Sequence, residues 1–315
     1  SAAEGRALVA RALPESVKDR SGWATDIYAA FAVLDLAPTP ENICAAVAVT
    51  EQESGFQVDP VVPGLAGIAR KEIDRRRESA GIPRLALDAA LALPSSNGKS
   101  YGERLDAART ERQLSEIYED FIDRVPFGRK FLADRNPVRT GGPMQVSVAF
   151  AESFARARPY PYPVAGTIRH EVFTRRGGVY FGIAHLLDYP APYDRPLYRF
   201  ADFNAGQFAS RNAAFQSGVT QVSGIPLALD GDLLRYEHGE PAVEPGSTEL
   251  ATRALGRRVD LGDEEIRRDL ERAKGADFER TRLYVRVFAL ADRAAGSPAP
   301  RAVVPRIPLQ SPKIS

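Results

Sequence analysis

Apolar residues recur at helical spacing along much of the chain, and this pattern predicts a mainly α fold. One such stripe predicts a helix over residues 22–34, with Ser21 as its N-cap. Similar stripes predict helices over residues 66–80, 110–124, 144–156 and 179–187, and two or three more between 248 and 291, one of them ending at Gly275. Strict alternation of apolar and polar residues is rare, so little β-structure is expected.

Residues 39–55 predict a helix with well-defined ends. Thr39 suits the N-cap, Pro40 the first helical position and Gly55 the stop. Every residue from 43 to 49 is apolar, so we expect this helix to be buried. Glu53 then lies in the last turn, where burial and the negative end of the helix dipole both favour the neutral acid. A general acid needs that form, although an ordinary surface glutamate is the simpler interpretation of this stretch alone.

The same stretch contains a second candidate carboxylate and the only cysteine of the chain. Glu51 and Glu53 are two positions apart, so on a helix they point to nearly opposite faces and only one can line a given cleft. Cys44 falls among apolar residues, which favours a small core residue over a nucleophile or a metal ligand. A single cysteine also excludes an intrachain disulfide.

Proline, glycine and polar clusters predict the connections between these helices. Loops are expected at residues 59–64, 94–100, 139–143, 159–163 and 189–196. A pair of helices interrupted near Ala205-Gly206 is expected next. Residues 227–236 predict a small β-hairpin that turns at Asp230-Gly231.

Composition and charge exclude several classes of function. Lys and Arg (42) balance Asp and Glu (41), and the net charge of +1 gives no reason to expect nucleic acid or an anionic membrane as a partner. No apolar run is long enough to span a bilayer. The three histidines have neither metal-site spacing nor a cysteine partner, and phosphate loops and nucleophile elbows are missing. No metal or organic cofactor is therefore predicted, which leaves carboxylate chemistry.

Four segments carry polar residues in a fixed order along the chain. They are Glu53-Ser54-Gly55-Phe56, Gly142-Pro143-Met144-Gln145-Val146, Phe200-Ala201-Asp202-Phe203-Asn204-Ala205-Gly206 and Glu279-Arg280-Thr281-Arg282-Leu283-Tyr284-Val285. They resemble the Glu-Ser, Gly-x-Met-Gln, Ala-Tyr-Asn-Ala-Gly and Glu-Thr-x-x-Tyr-Val motifs of the lytic transglycosylases, lysozyme-like enzymes that cut bacterial peptidoglycan. Residues 179–187 resemble the helix that precedes the third motif. The whole chain is also similar to an uncharacterised family of bacterial lipoproteins built around these motifs.

The resemblance implies a lysozyme-like domain in which Glu53 is the general acid and base. Such enzymes cleave the bond between N-acetylmuramic acid and N-acetylglucosamine and leave a 1,6-anhydro sugar, a reaction that needs no second carboxylate. The substrate-binding positions that the resemblance implies are Ser54, Met144, Gln145, Phe203, Asn204 and Tyr284. Structural roles are the alternatives: a helix cap at Ser54, core packing at Met144 and Tyr284, and internally paired amides at Gln145 and Asn204.

The chain departs from the family in spacing and in two residues. Met144 lies 91 positions after Glu53, so residues 59–139 are expected to form a helical insertion beside the cleft. A second insertion is expected near residues 225–275, and Pro143 and Phe203 replace the family's Leu and Tyr. The expected division is 1–58 (N-terminal helices with the catalytic glutamate), 59–139 (insertion), 140–293 (the rest of the core) and 294–315 (a Pro- and Ser-rich tail).

The resemblance also implies a location and partners. The protein is expected in the periplasm, anchored to the outer membrane through a lipidated cysteine upstream of Ser1. Peptidoglycan strands are the expected partner, residues 59–139 are the expected surface for cell-wall proteins, and a monomer is expected. Two alternatives stay open: a hydrolytic muramidase with a second carboxylate or a positioned water opposite Glu53, and a non-catalytic glycan-binding or scaffold protein.

Overall fold

The computed structural model describes residues 1–306 except 126, 133, 134, 200, 201, 203, 238 and 239. These residues are mainly helical with a few short strands, so the prediction of a mainly α protein is confirmed. The chain divides into two compact units, Ser1–His185 and Leu186–Ser315. The division into four segments expected from the sequence stays a prediction. No helix within the described ranges is both long and apolar enough to cross a membrane.

The first unit is a set of helices with one small hairpin. The helices are α1 (Ala2–Ala12), α2 (Arg20–Val33), α3 (Pro40–Ser54), α4 (Leu65–Ser79), α5 (Arg84–Ala92), α6 (Tyr101–Ala107), α7 (Glu111–Arg124), α8 (Gly128–Leu132), α9 (Val148–Ala157), α10 (Ile168–Val172) and α11 (Arg175–Leu187). Strands β1 (Thr140–Gly141) and β2 (Val146–Ser147) pair antiparallel, with Gly141 opposite Val146. The helices predicted over 66–80 and 110–124 are confirmed as α4 and α7.

Helix α3 has the predicted ends but not the predicted burial. The Thr39 hydroxyl accepts a hydrogen bond from the Asn42 amide, and Gly55 ends the helix in the left-handed region at φ 57°. Only one face is buried, and the prediction of a wholly buried helix is wrong, because Cys44 and Ala48 are exposed. Small residues lose little by facing water, so an apolar run that is rich in alanine does not require burial on all sides.

Helix α9 begins at Val148, four residues later than predicted. Residues 140–147 form the β1–β2 hairpin, in which Gly142 and Gln145 have positive φ angles of 73° and 48°. The Ser147 hydroxyl then caps α9 by accepting a hydrogen bond from the Phe150 amide. The apolar pattern alone could not show this hairpin, because a glutamine in the left-handed region gives no turn signal of its own.

The described part of the second unit packs four helices around an aromatic core. The helices are α12 (Ala209–Ser223), α13 (Ser247–Arg253), α14 (Asp263–Leu270) and α15 (Arg282–Ala295). One 3-10 turn precedes α12 (Pro196–Tyr198), and three lie between α13 and α15 (Gly256–Arg258, Glu271–Lys274 and Ala276–Arg280). Strands β3 (Tyr236–Glu237) and β4 (Glu240–Pro241) form a second hairpin. Phe215 of α12 contacts Phe278 and Phe288 in the centre of this core. The predicted stop at Gly275 is confirmed.

Two local predictions in this unit are wrong. Residues 227–236 do not form a hairpin, because the Asp230 carboxylate accepts hydrogen bonds from the Asp232 amide and from Gln216 Nε2, which folds the segment into a turn against α12. The helical pair expected around Ala205-Gly206 is also wrong in its first half. There, Asp202 and Gly206 exchange backbone hydrogen bonds of 2.9 Å, and α12 starts only at Ala209.

Candidate functional site

Glu53 lies at the exposed carboxyl-terminal end of α3. Its carboxylate makes no hydrogen bond or ion pair with any residue that the structure describes. The expectation of a desolvated Glu53 is wrong, because this end of α3 faces solvent. Ser54 is buried, and its hydroxyl donates to the Thr50 carbonyl at 3.0 Å rather than to Glu53. Ser54 therefore stabilises the end of the helix in this state, while Glu53 is accessible to a ligand.

The segment after Glu53 is held in place by an aromatic contact. Phe56 is buried, and its ring meets Trp23 of α2 edge to face, with centroids 5.1 Å apart. The Arg175 guanidinium, at the start of α11, lies 5.6 Å from the Trp23 ring and donates to the Asp26 carboxylate at 2.6 Å. The first motif is thus connected through α2 to the beginning of α11.

The second motif packs on the same helix, α11. A Cβ atom added at Gly182 would lie 2.4 Å from Met144 Sδ, and one added at Gly178 would lie 2.4 Å from Pro143 Cδ. The two glycines therefore allow the hairpin to approach the helix closely. Met144 is buried in this contact, as core packing requires.

Gln145 has both ends of its amide occupied. Its Oε1 accepts from the Thr140 hydroxyl at 3.1 Å, and its Nε2 donates to Glu111 Oε2 at 3.0 Å. Glu111 stands in the first turn of α7, within the predicted insertion, and sequence reasoning did not connect it to Gln145. A sugar that binds Gln145 must replace one of these partners or use the remaining lone pair and hydrogen of the amide.

The third motif forms a tight polar turn rather than part of a helix. Asp202 Oδ2 accepts hydrogen bonds from the Asn204 amide at 2.8 Å and from the Ala205 amide at 3.0 Å. Asp202 therefore organises this turn and is not a helix residue. Phe203 lies outside the described residues.

Asn204 is hydrogen-bonded to the carboxyl group of Asp232, a candidate site residue that the sequence did not indicate. Its Nδ2 donates to Asp232 Oδ2 at 2.8 Å, while Asp232 Oδ1 is buried and accepts no hydrogen bond in the described parts of the chain. Burial, and then the nearby charges of Asp202 and Asp230, raise the pKa of Asp232 to about 6, against the hydrogen bond from Asn204 and the charge of Lys274. A carboxyl group with a pKa of about 6 can both donate and accept a proton near neutral pH.

Helix α12 positions this carboxyl through a buried amide. Gln216 Nε2 donates to Asp230 Oδ1 at 2.7 Å and to the Asp232 carbonyl at 3.0 Å, and Gln216 Oε1 accepts from the Gly231 amide at 2.9 Å. Gly231 has a φ of 90°, which this turn requires. The Asp-Gly-Asp sequence was the available signal, but it indicates only a turn. The role of Gln216 depends on contacts that are distant in sequence.

The fourth motif places Tyr284 in the aromatic core of the second unit. Its ring lies 4.6 Å from Phe288 and 5.3 Å from Phe278 by centroid distance, and its hydroxyl is buried without a partner among the residues described. Burial, with the charge of Glu279, raises the pKa of Tyr284 to about 12. The ring thus packs in the core, as the structural alternative for Tyr284 requires, and its hydroxyl is buried with it. The orphan hydroxyl is a polar group that a structural role alone leaves unexplained.

Glu279 of the same motif pairs with a buried arginine that sequence reasoning also missed. Glu279 Oε1 lies 3.5 Å from Nη1 of Arg211, which is fully buried between the Phe208 and Phe278 rings. Arg211 Nη1 also donates to the Gly275 carbonyl at 2.9 Å. Nothing in the sequence around Arg211 indicates burial of a guanidinium.

The candidate residues fall into the two units as follows. Glu53, Ser54, Met144 and Gln145 belong to the first unit, and Asn204 and Tyr284 belong to the second. Within the first unit, the segments of Glu53 and Gln145 are linked through α2 and α11, and no hydrogen bond joins the two side chains. Among the residues described, no group of three or more His, Cys, Asp or Glu is arranged to hold a metal ion.

These features define a mainly helical protein with unpaired or perturbed carboxyl groups at its motif segments. The chain belongs to the family described as "Protein of unknown function (DUF1615)", which it matches over residues 16–315. It is 54% identical over 308 residues to a protein of Escherichia coli (strain K12), "Uncharacterized protein YaiW", covering 98% of this chain and 83% of that relative. No solved structure matches the chain.

Proposed function

We propose that the chain is a peptidoglycan lytic transglycosylase with a lysozyme-like fold and Glu53 as its only general acid and base. The observation that carries the proposal is the state of Glu53. Its carboxyl group ends a well-capped helix, is exposed and has no partner among the described residues. The segment around it resembles the catalytic Glu-Ser motif of the lytic transglycosylases. An unpaired, accessible carboxyl on a rigid element is suited to meet a substrate.

The proposed chemistry uses one carboxyl group twice, first as an acid and then as a base. Protonated Glu53 gives its proton to the glycosidic oxygen as the bond to the anomeric carbon of N-acetylmuramic acid breaks. The Glu53 carboxylate then takes the proton of the 6-hydroxyl of the same sugar, whose oxygen attacks the anomeric carbon and closes the 1,6-anhydro ring. Because this nucleophile is part of the substrate, its effective concentration is high and no second carboxylate is required. Binding of the glycan would exclude water from the reacting groups around Glu53.

The other motif residues are proposed to bind the sugars. Gln145 and Asn204 each donate one amide hydrogen to a carboxylate, Glu111 and Asp232 respectively, which leaves a second hydrogen for an N-acetyl group or a hydroxyl. Met144 would support the substrate from the hairpin that packs on α11. A periplasmic location with a lipid anchor upstream of Ser1 is part of the same proposal.

The test is digestion of purified peptidoglycan sacculi followed by mass spectrometry. The wild type is expected to release 1,6-anhydromuropeptides, and Glu53→Gln is expected to lower the rate about 100-fold or more, as loss of a general acid does. Glu41→Gln is the matched control, because Glu41 is an exposed carboxylate in the first turn of the same helix. Circular dichroism should show that both variants fold. Full activity in Glu53→Gln would exclude Glu53 as the catalytic acid.

A hydrolytic muramidase is the second candidate, and one observation favours it. Asp232 is a carboxyl group with a pKa raised to about 6, next to a motif asparagine, and such a group can activate water. Reducing-end products that disappear in Asp232→Asn would establish hydrolysis. A folded protein that binds sacculi and releases no soluble product would instead support the non-catalytic scaffold.

A further inference from the structure

A cavity of about 450 Å³ opens in the first unit, beside the carboxyl-terminal end of α3. Its lining is Pro14, Ser16, Val17, Lys18, Glu51, Gly55, Phe56 and Gln57. The volume falls within the range of ordinary small-ligand pockets. Glu53 is not in the lining, so this cavity belongs to the face of α3 that carries the other carboxylate, Glu51.

The cavity holds two opposite charges that do not pair. Neither the Lys18 ammonium nor the Glu51 carboxylate makes an ion pair or a hydrogen bond with a described residue, although ion pairs are common elsewhere in this unit. Each is therefore free to meet an opposite charge that a ligand brings. A ligand that satisfies both must carry one positive and one negative group.

One helix end adds to the charge of the cavity. Glu51 lies in the last turn of α3, where the backbone carbonyls add partial negative charge, so a cationic group is favoured on this side. Lys18 precedes Asp19, the N-cap of α2, whose carboxylate accepts from the Gly22 amide and pairs with Arg175. The positive charge on the other side of the cavity therefore comes from the Lys18 ammonium itself.

The walls are held in place without a ligand. Arg20 Nη2 donates to the Ala10 carbonyl at 2.7 Å and to the Leu13 carbonyl at 3.0 Å, and this fixes the loop that carries Lys18. Phe56 forms the apolar wall, and its contact with Trp23 fixes its ring. A preformed cavity needs little ordering when a ligand binds.

We propose that this cavity binds a short peptide with a free amino terminus and a free carboxyl terminus. The ammonium group of the peptide pairs with Glu51, its carboxylate pairs with Lys18, and an apolar side chain packs on Phe56. The Ser16 hydroxyl and the Gln57 amide line the same cavity and can bond to the peptide backbone. A dication or a dianion would meet a like charge, and a neutral sugar would pair with neither of the two exposed charges. The proposal goes beyond the proposed glycan cleavage and does not depend on it.

The test is calorimetric titration of the wild-type protein with trialanine and with two blocked forms of it. N-acetyl-trialanine lacks the positive end, and trialanine amide lacks the negative end. We expect trialanine to bind and each blocked form to bind about fivefold or more weakly, as the loss of a charge-assisted contact implies. Equal affinity for all three peptides, or no binding by any of them at millimolar concentration, would overturn the proposal.

Variants then assign each end of the peptide. Glu51→Gln is expected to bind trialanine more weakly than the wild type does. It should bind trialanine and N-acetyl-trialanine with equal affinity, but should still bind trialanine more tightly than trialanine amide. Lys18→Gln is expected to show the reverse pattern, and Glu41→Gln should resemble the wild type. If either variant weakened all three peptides equally, the contacts would be merely structural and the assignment would be wrong. Because binding is measured directly, a protein that binds trialanine but leaves sacculi intact contradicts the proposed glycan cleavage alone.

Discussion

Asp232 lies in surroundings that disfavour the charged, deprotonated form of its carboxyl group. It lies near Asp202 and Asp230, its Oδ1 is buried without a partner in the described chain, and burial is the main cause of its raised pKa. Folding therefore favours the protonated form of this residue. The unfolded chain has the ordinary value, near 3.8, so the two states bind different numbers of protons between that pH and about 6.

The first prediction concerns Asp232→Asn, which imitates the protonated acid. Below pH 3.8 the wild-type carboxyl is neutral in both states and makes no contribution that depends on pH. As the pH rises to about 6 the folded state binds more protons than the unfolded state, so the free energy of unfolding of the wild type falls. The introduced asparagine does not titrate, so Asp232→Asn does not lose stability in this way. We expect the free energy of unfolding of Asp232→Asn at pH 8 to exceed that of the wild type by about 1 kcal/mol, a value reduced because the side chain is half-exposed and solvent screens its charge.

Denaturant unfolding at several pH values between 4 and 8 measures this difference. The gain should be small at the acid end and constant above the folded pKa. Asp35→Asn is the control, because Asp35 is exposed and its φ of 55° suits asparagine as well as aspartate. A gain in Asp232→Asn that is the same at every pH would show that titration of this carboxyl is not its cause.

The second prediction concerns the orphan hydroxyl of Tyr284. A buried hydroxyl without a partner lowers stability, so Tyr284→Phe should raise the free energy of unfolding by up to about 1 kcal/mol. Tyr101→Phe is the comparison, because the Tyr101 hydroxyl donates to the Asp120 carbonyl at 3.1 Å and its removal should cost about 1 kcal/mol. If the hydroxyl meets substrate, Tyr284→Phe also loses activity on sacculi while it gains stability. A Tyr284→Phe variant less stable than the wild type would contradict this account of the hydroxyl.

At the scale of elements, the close contact between α11 and the hairpin supports the second motif. The third prediction is that Gly182→Ala lowers the free energy of unfolding by about 1–3 kcal/mol, because the added methyl group would lie 2.4 Å from Met144 Sδ. Gly67→Ala is the control, since Gly67 is a residue of α4 and an added Cβ meets nothing within 4 Å. That control should be neutral or more stable by up to about 1 kcal/mol. Equal effects of the two substitutions in thermal unfolding would contradict the close packing.

Element ends could be predicted from the sequence because local residues determine them. Thr39, Pro40 and Gly55 set the ends of α3, and Gly275 ends its 3-10 turn, as expected. Burial could not be predicted in the same way. Cys44 and Glu53 face solvent because no element that the structure describes covers that side of α3. This depends on packing that the pattern of one helix does not contain.

The contacts of the candidate site residues could not be predicted from local sequence either. The Glu-Ser and Met-Gln motifs were found as sequence patterns, but the partners of Gln145 and Asn204 come from distant segments, Glu111 and Asp232. The Asp-Gly-Asp sequence was visible and indicated a hairpin. The turn forms instead around Gln216, whose side chain reaches it from α12. The Asp-Gly signal therefore located the turn correctly, but the prediction that strands flank it as a hairpin was wrong.

At the scale of the whole molecule, charge is distributed without a large excess of either sign. Lys and Arg number 42 and Asp and Glu number 41, and many of them pair with close neighbours. The opposite charges of such a pair largely cancel each other beyond a short distance, so the electrostatic field of the protein should be weak at long range. A partner is then recognised by local contacts, such as those proposed at Glu53 and in the Lys18–Glu51 cavity, and not by attraction to a polyanion.

The fourth prediction follows from this balance and concerns binding to peptidoglycan. Sedimentation with sacculi, using the Glu53→Gln variant to prevent digestion, should give an affinity that changes less than about twofold between about 50 mM and about 300 mM salt. The reason is that binding through local contacts at the proposed site around Glu53, without a concentrated basic surface, would release few counterions from an anionic polymer. A strongly basic protein of similar size, sedimented in parallel, should lose most of its binding over the same range. A tenfold or greater loss for this chain would mean that a concentrated basic surface, and not the site around Glu53, dominates its contact with the cell wall.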